Sequence, residues 1–187
     1  MTKVLIPLAQ GCEELEAVTV IDLLRRAEIE VVTAGLESGE VICSRGVRLQ
    51  PDINLDQLEI SEIVNDFDMI VLPGGLPGAN HLKEDTRVQS ILRDFSSQEK
   101  LTAAICAAPR ALASAGLLDN RKATSFPGAL DDMQIPGLDY LSEPVVQDGT
   151  VITSRGPGTA MDFGLYLIEQ LQGREKRQEV ESALQRC

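Results

Sequence analysis

Cys106 stands at the one point in this chain where a thiol is set up by its neighbours to act as a nucleophile. It follows a short apolar run, Leu101-Thr102-Ala103-Ala104-Ile105, and precedes Ala107-Ala108-Pro109. That order reads as a buried strand, a tight turn and a helix with proline in its first turn. The small residues Ala104, Ala107 and Ala108 permit the sharp strand-to-helix turn that exposes a nucleophile. Unpaired backbone N–H groups and the positive helix end favour a thiolate there, and helix-terminal cysteines fall to roughly pKa 3.5–7.5. The competing reading is a buried, inert cysteine, and position alone does not separate the two. Glu16 is the second candidate. It falls in the first turn of the helix after the first apolar run, near the same crevice, while Glu13 and Glu14 beside it read as helix-dipole partners or solvated groups.

Two glycine-bearing turns accompany them. Pro73-Gly74-Gly75 ends a strand and could bring backbone amides close to an anion or oxyanion, and Ser154-Arg155-Gly156-Pro157-Gly158 has the same character. Both also read as plain turns. The single histidine, His81, lies in Asn80-His81-Leu82 and reads as an exposed helix start; nothing places it beside Cys106. Cys12 adjoins the crevice after the first strand and reads as exposed, whereas Cys43 and Cys187 show no role. The four cysteines form no CxxC and one histidine supplies no zinc cluster, so neither a metal site nor a disulfide scaffold is expected.

The elements that must position these residues alternate between strand and helix. Residues 3–7, 68–72 and 101–105 are continuous apolar runs, the mark of strands covered on both faces. A strand is also expected over 30–34, and a hairpin over 144–147 and 151–154 around Asp148-Gly149-Thr150. Residues 43–47 read as a short strand pair or a turn. Helices are expected over 13–26, with acids first and Arg25-Arg26 last, and over 79–95, 109–115, 159–171 and 174–185. This pattern predicts one α/β domain over 1–187, a mainly parallel sheet with helices on both faces. In such sheets the crevice lies beyond the carboxyl ends of the strands, which here are the turns after Pro7, Leu72, Ile105 and Ser154.

Composition narrows the function. At 187 residues, 43% hydrophobic and 25% charged, the chain can build one good-sized core. A net charge of -12, with no Trp and only two Tyr and four Phe, argues against a dedicated nucleic-acid or anionic-membrane binder. No apolar run approaches the roughly 18 residues of a membrane span, and the expected location is cytoplasmic.

Five segments together resemble one family: Gly11-Cys12-Glu13-Glu14-Leu15-Glu16-Ala17, Cys43-Ser44-Arg45-Gly46, Val71-Leu72-Pro73-Gly74-Gly75, Ala103-Ala104-Ile105-Cys106-Ala107-Ala108-Pro109 and Thr153-Ser154-Arg155-Gly156-Pro157-Gly158-Thr159. Their order and spacing are similar to the ThiJ/PfpI superfamily, in the branch of the human parkinsonism-associated deglycase and bacterial YajL. The resemblance implies a flavodoxin-like three-layer homodimer without metal or organic cofactor. It also implies an oxidisable nucleophile at Cys106 hydrogen-bonded to a protonated Glu16. Backbone oxyanion donors are implied at Gly74, Gly75 and Ala107, and pocket arginines at Arg26 and Arg45, with Arg45 contributed across the dimer. Two departures matter: Ala107 stands where hydrolases of the family carry His, which disfavours a peptidase, and Phe126 replaces a His of the deglycase branch. Two functions are implied. One is glyoxalase- or deglycase-type chemistry on small aldehydes or glycated adducts; the other is an oxidative-stress sensor or chaperone in which Cys106 becomes a sulfinic acid.

Overall fold

The computed structural model of the chain describes residues 2–186. In chain order the elements are β1 (Lys3–Leu8), α1 (Glu14–Arg26), β2 (Glu30–Gly35), β3 (Val41–Ile42), β4 (Arg48–Leu49), β5 (Ile53–Asn54), α2 (Ile60–Asp66) and β6 (Met69–Leu72). They continue as α3 (Leu76–Glu84), α4 (Thr86–Ser97), β7 (Leu101–Ile105), α5 (Pro109–Ser114), β8 (Lys122–Ala123), β9 (Asp139–Tyr140), β10 (Val145–Asp148), β11 (Val151–Ser154), α6 (Ala160–Gln172) and α7 (Arg174–Ala183). Seven strands form one sheet in the order β10-β11-β7-β6-β1-β2-β5, parallel throughout except for the β10–β11 hairpin.

The apolar runs follow from two-sided burial. Successive side chains of a strand point to opposite faces, so Val4, Ile6 and Leu8 of β1 enter one core cluster while Leu5 enters the other. Met69 and Val71 of β6 divide from Ile70 and Leu72 in the same way. α1, α6 and α7 cover the first face, with Leu23, Phe163, Ile168 and Val180 buried there. α2, α4 and α5 cover the second, through Ile63, Ile91, Phe95 and Leu112. This is the flavodoxin-like sandwich expected. Among the described residues, no helix is long and apolar enough to cross a membrane.

Three local features differ from the sequence reading. The helix expected over 79–95 is two helices, because Asp85 leaves helical geometry (φ -71°, ψ 115°) and its carboxylate caps the next helix by accepting from the N–H groups of Arg87 and Val88. α2 and the two-residue strands β5, β8 and β9 carry too little periodicity to be read from sequence. Residues 43–47 form the turn of the β3–β4 hairpin. Because β1, β6, β7 and β11 all run parallel, the turns that follow them gather at one edge of the sheet.

Candidate active site

Cys106 directly follows β7 in the left-handed region, with φ at 64°. For a non-glycine residue that conformation costs roughly 1–3 kcal/mol and persists only where its surroundings impose it. Here the Cys106 N–H donates to the Ser154 carbonyl at 3.0 Å, and the Phe126 N–H donates to the Cys106 carbonyl at 2.8 Å. The thiol is largely buried, 9% exposed, at the floor of a cavity of about 630 Å³.

Glu16 is fully buried, one turn into α1, and its Oε2 accepts from the Gly74 N–H at 2.8 Å. Oε1 finds no partner of hydrogen-bond geometry among the described residues, although the Cys106 thiol is close enough to affect the carboxyl through a hydrogen bond. Gly74 lies between the two groups. A β-carbon there would stand 2.5 Å from both Cys106 Cβ and Glu16 Oε2, so only glycine lets them meet. Gly75 adopts φ +87°, and a β-carbon on it would lie 2.5 Å from the Glu13 nitrogen and the Gly11 carbonyl. Its N–H and that of Ala107 face the Cys106 sulfur. The Gly74 N–H is engaged by Glu16 and is no oxyanion donor, which corrects the expectation for that residue.

Burial sets the electrostatics. It raises the Glu16 carboxyl from 4.5 to about 7, against the pull of the thiol and the Gly74 N–H, and Glu13 adds to the rise. Burial, then the Glu16 charge, pushes the Cys106 thiol up to about 12, while the Gly75 and Ala107 N–H groups oppose that rise. The thiol and carboxyl are coupled, and at neutral pH the pair holds at least one proton.

The cavity is lined by Glu13, Asn80 and Phe126 and by two cations, Arg45 and Arg110. Arg45 of this same chain lines the cavity. Its turn is held by Glu14, whose carboxylate accepts from the N–H groups of Arg45 at 3.0 Å and Val47 at 3.3 Å and from the Ser44 hydroxyl at 3.1 Å. Burial would raise the Glu14 carboxyl, but these donors and its own N–H hold it below the usual range. Glu14 is therefore a buried anchor, not a solvated dipole partner. Glu13 accepts from the Ser44 hydroxyl at 2.7 Å and reaches the cavity wall.

Arg26 ion-pairs with Asp22 at the far end of α1, about 15 Å along the helix from Glu16, and does not line this chain's own cavity. Arg110 was missed, although its spacing, one helical turn after Cys106, is a usable signal. Its guanidinium forks onto Asp132 at 2.6 and 2.8 Å. Phe126 stands half-exposed at the rim. His81 is in the last turn of α3, away from Cys106. Cys12, expected to be exposed, is fully buried, and Cys187 lies outside the described residues.

Comparison with known proteins identifies the family to which the chain belongs. The family model described as the DJ-1/PfpI family matches residues 2–170. Protein dj-1beta of Drosophila melanogaster is 44% identical over 182 residues, covering 96% of this chain and 95% of that protein. The glutathione-independent glyoxalase DJR-1.2 of Caenorhabditis elegans is 35% identical over 167 residues, covering 89% of this chain and 87% of that protein. The crystal structure of Drosophila melanogaster DJ-1beta superposes with a TM-score of 0.89 at 42% identity, covering 98% of this chain and 97% of the other. With its strained cysteine, its buried glutamate and a match along nearly its whole length, the chain belongs to the DJ-1/PfpI family.

Proposed function

We propose that this protein is a cysteine-dependent enzyme acting on reactive aldehydes such as methylglyoxal and glyoxal, or on the early adducts they form with proteins and nucleotides. The observation that carries the reading is the pair itself: a thiol in a strained turn and a fully buried carboxyl, meeting over Gly74 at the floor of an open cavity. A relative named as a glutathione-independent glyoxalase supports the aldehyde class. The cavity, at about 630 Å³, is far larger than methylglyoxal and leaves room for the amine portion of an adduct.

The steps use this chain's own groups. The Glu16 carboxylate takes the Cys106 proton as the sulfur attacks the aldehyde carbon. The carbonyl electron pair becomes an alkoxide, steadied by the Gly75 and Ala107 N–H groups, and is protonated to a hemithioacetal. Glu16 then removes the hydrogen on the former aldehyde carbon to give an enediol and returns it at the neighbouring carbon. The result is a thioester of the hydroxy acid. Water cleaves it, releasing lactate from methylglyoxal and restoring the thiol. A carboxyl with a pKa of about 7 is suited to both directions of this transfer. No metal or organic cofactor enters these steps.

The test is hydroxy-acid release from methylglyoxal in metal-free buffer, against a protein-free control. Cys106→Ser and Glu16→Gln should each lose at least roughly 100-fold in turnover. Wild-type protein at the control rate, or an active Cys106→Ser, would overturn the reading.

A second reading rests on the same N–H pair. Gly75, Ala107 and a protonated Glu16 surround the sulfur and would also hold a sulfinate, formed as peroxide adds one oxygen and then a second, each with release of water. Peroxide that adds two oxygens to Cys106 in a protein with no aldehyde turnover would favour this sensor or chaperone role. We also take the protein to be a cytoplasmic homodimer. Cys12, Cys43 and Cys106 are free thiols, and Leu15 and Val18 of α1 lie about half-exposed, as do Ile42 and Val47 of the β3–β4 hairpin.

A further inference from the structure

We propose that Cys12 and Cys43 form a second oxidisable site, closing an intrachain disulfide when the protein meets a peroxide and tying the base of α1 to the turn that carries Arg45. The two residues are 31 positions apart in sequence, yet their sulfurs stand 3.6 Å apart as free thiols. That is about 1.5 Å beyond a bonded S–S distance. Their backbones are already bound on both sides. The Gly11 N–H donates to the Ile42 carbonyl, and the Ser44 N–H to the Cys12 carbonyl, each at 2.8 Å. Closure therefore calls for side-chain rotation with little movement of the chain. Neither thiol takes part in the aldehyde chemistry, so the site stands or falls independently of it.

The order of events follows from exposure. Cys43 is 4% exposed and Cys12 is fully buried, so Cys43 is the thiol that peroxide reaches first. Its thiolate attacks the O–O bond, giving a Cys43 sulfenic acid and, after proton transfer, water. The Cys12 sulfur then attacks the Cys43 sulfur, the S–O bond breaks, and a second water leaves as the disulfide forms. Two thiols and one peroxide become one disulfide and two waters. Burial, together with the nearby Glu14 and Glu13 charges, pushes both thiols up, so the reaction is slow and answers to sustained exposure. The bond would brace two walls of the cavity, since Glu13 and Glu16 lie just after Cys12, and Ser44 and Arg45 just after Cys43.

The experiment is a time course with excess hydrogen peroxide on the full-length protein. Remaining thiols are blocked with N-ethylmaleimide, and a non-reducing tryptic digest is read by mass spectrometry. The peptide holding Cys12 and the peptide holding Cys43 should appear linked, with loss of two hydrogens, in both the wild type and Cys106→Ala. The linked form should melt roughly 7–15 °C higher, as expected for a closed loop of this length, and dithiothreitol should reverse the gain. Cys43→Ala should show no gain. Recovery of the two peptides unlinked, whether still thiol or separately oxidised, would overturn the proposal without touching the Cys106 chemistry. An unchanged melting midpoint in linked protein would overturn the bracing role.

Discussion

Replacing Glu16 with Gln should change the way stability depends on pH, and the size of the change follows from burial. In the folded protein the carboxyl keeps its proton up to about 7, whereas in the unfolded chain it releases it near 4.5. Between those values the native state binds more protons than the unfolded state. Stability therefore falls as pH rises through this window, and the loss is complete a little above pH 7. At about 1.4 kcal/mol per pH unit the window is worth about 3 kcal/mol. The carboxylates held low by their donors, among them Glu14, Asp52 and Asp85, have the opposite slope, and it acts below their unfolded values of 4.5 and 3.8. The interval from about pH 5 to about pH 7 therefore belongs mainly to Glu16. Gln carries no proton to release, and its side-chain oxygen can still accept from the Gly74 N–H. Urea midpoints and thermal melts across this interval provide the assay. Over this interval the wild type should lose about 2 kcal/mol, or roughly 4–8 °C, and Glu16→Gln should stay nearly flat. Cys106→Ala should keep the slope, since the carboxyl remains buried without the thiol. Parallel curves for the wild type and Glu16→Gln would refute the raised pKa and remove the basis for a proton shuttle at neutral pH.

Iodoacetamide at neutral pH should label Cys106 ahead of Cys43 and Cys12, because only Cys106 lines the open cavity; peptide mass spectrometry showing Cys43 first would count against the site. Gly75→Ala should destabilise the fold by roughly 1–3 kcal/mol or more and abolish turnover, since φ +87° and backbone atoms at 2.5 Å leave no room for a methyl group; a denaturant titration measures it. Glu14→Gln should cost roughly 1.5–3 kcal/mol at neutral pH by weakening the anchor of the Arg45 turn. Its carboxylate contributes stability above the unfolded value of 4.5, lost as pH falls through the lower folded value, so the variant's acid limb should be flatter in melts below about pH 5. Val18→Asp should turn the proposed dimer into a monomer by light scattering; a wild type that already runs as a monomer would refute the interface.

Much of the fold was legible because its strands are buried on both faces. A continuous run such as Met69-Ile70-Val71-Leu72 has no solvent face to satisfy, so it cannot be mistaken for an amphipathic surface element. The charge order of α1 and the Gly149 turn of the hairpin were equally local signals. The split between α3 and α4 was not, because Asp85 suits a helix surface until its carboxylate is seen capping the next helix. α2 was missed for want of length. Topology placed both central residues near one crevice: parallel strands gather their carboxyl-end turns, Cys106 follows β7 at that edge, and Glu16 sits in the first turns of α1, the helix after β1.

By itself the sequence determined the layered architecture and the edge of the sheet where chemistry belongs. These are consequences of periodicity and of local turn chemistry, which act over a few residues. Tertiary structure alone decided that Glu14 anchors the Arg45 turn and that Arg110 pairs with Asp132 at the cavity. It also brought Cys12 against Cys43 and buried the coupled Cys106–Glu16 pair, which raises both groups. Each of these depends on distance and burial between segments far apart in the chain. A pKa or a sulfur–sulfur contact is set by what surrounds the group in space, and spacing along the chain carries no record of that.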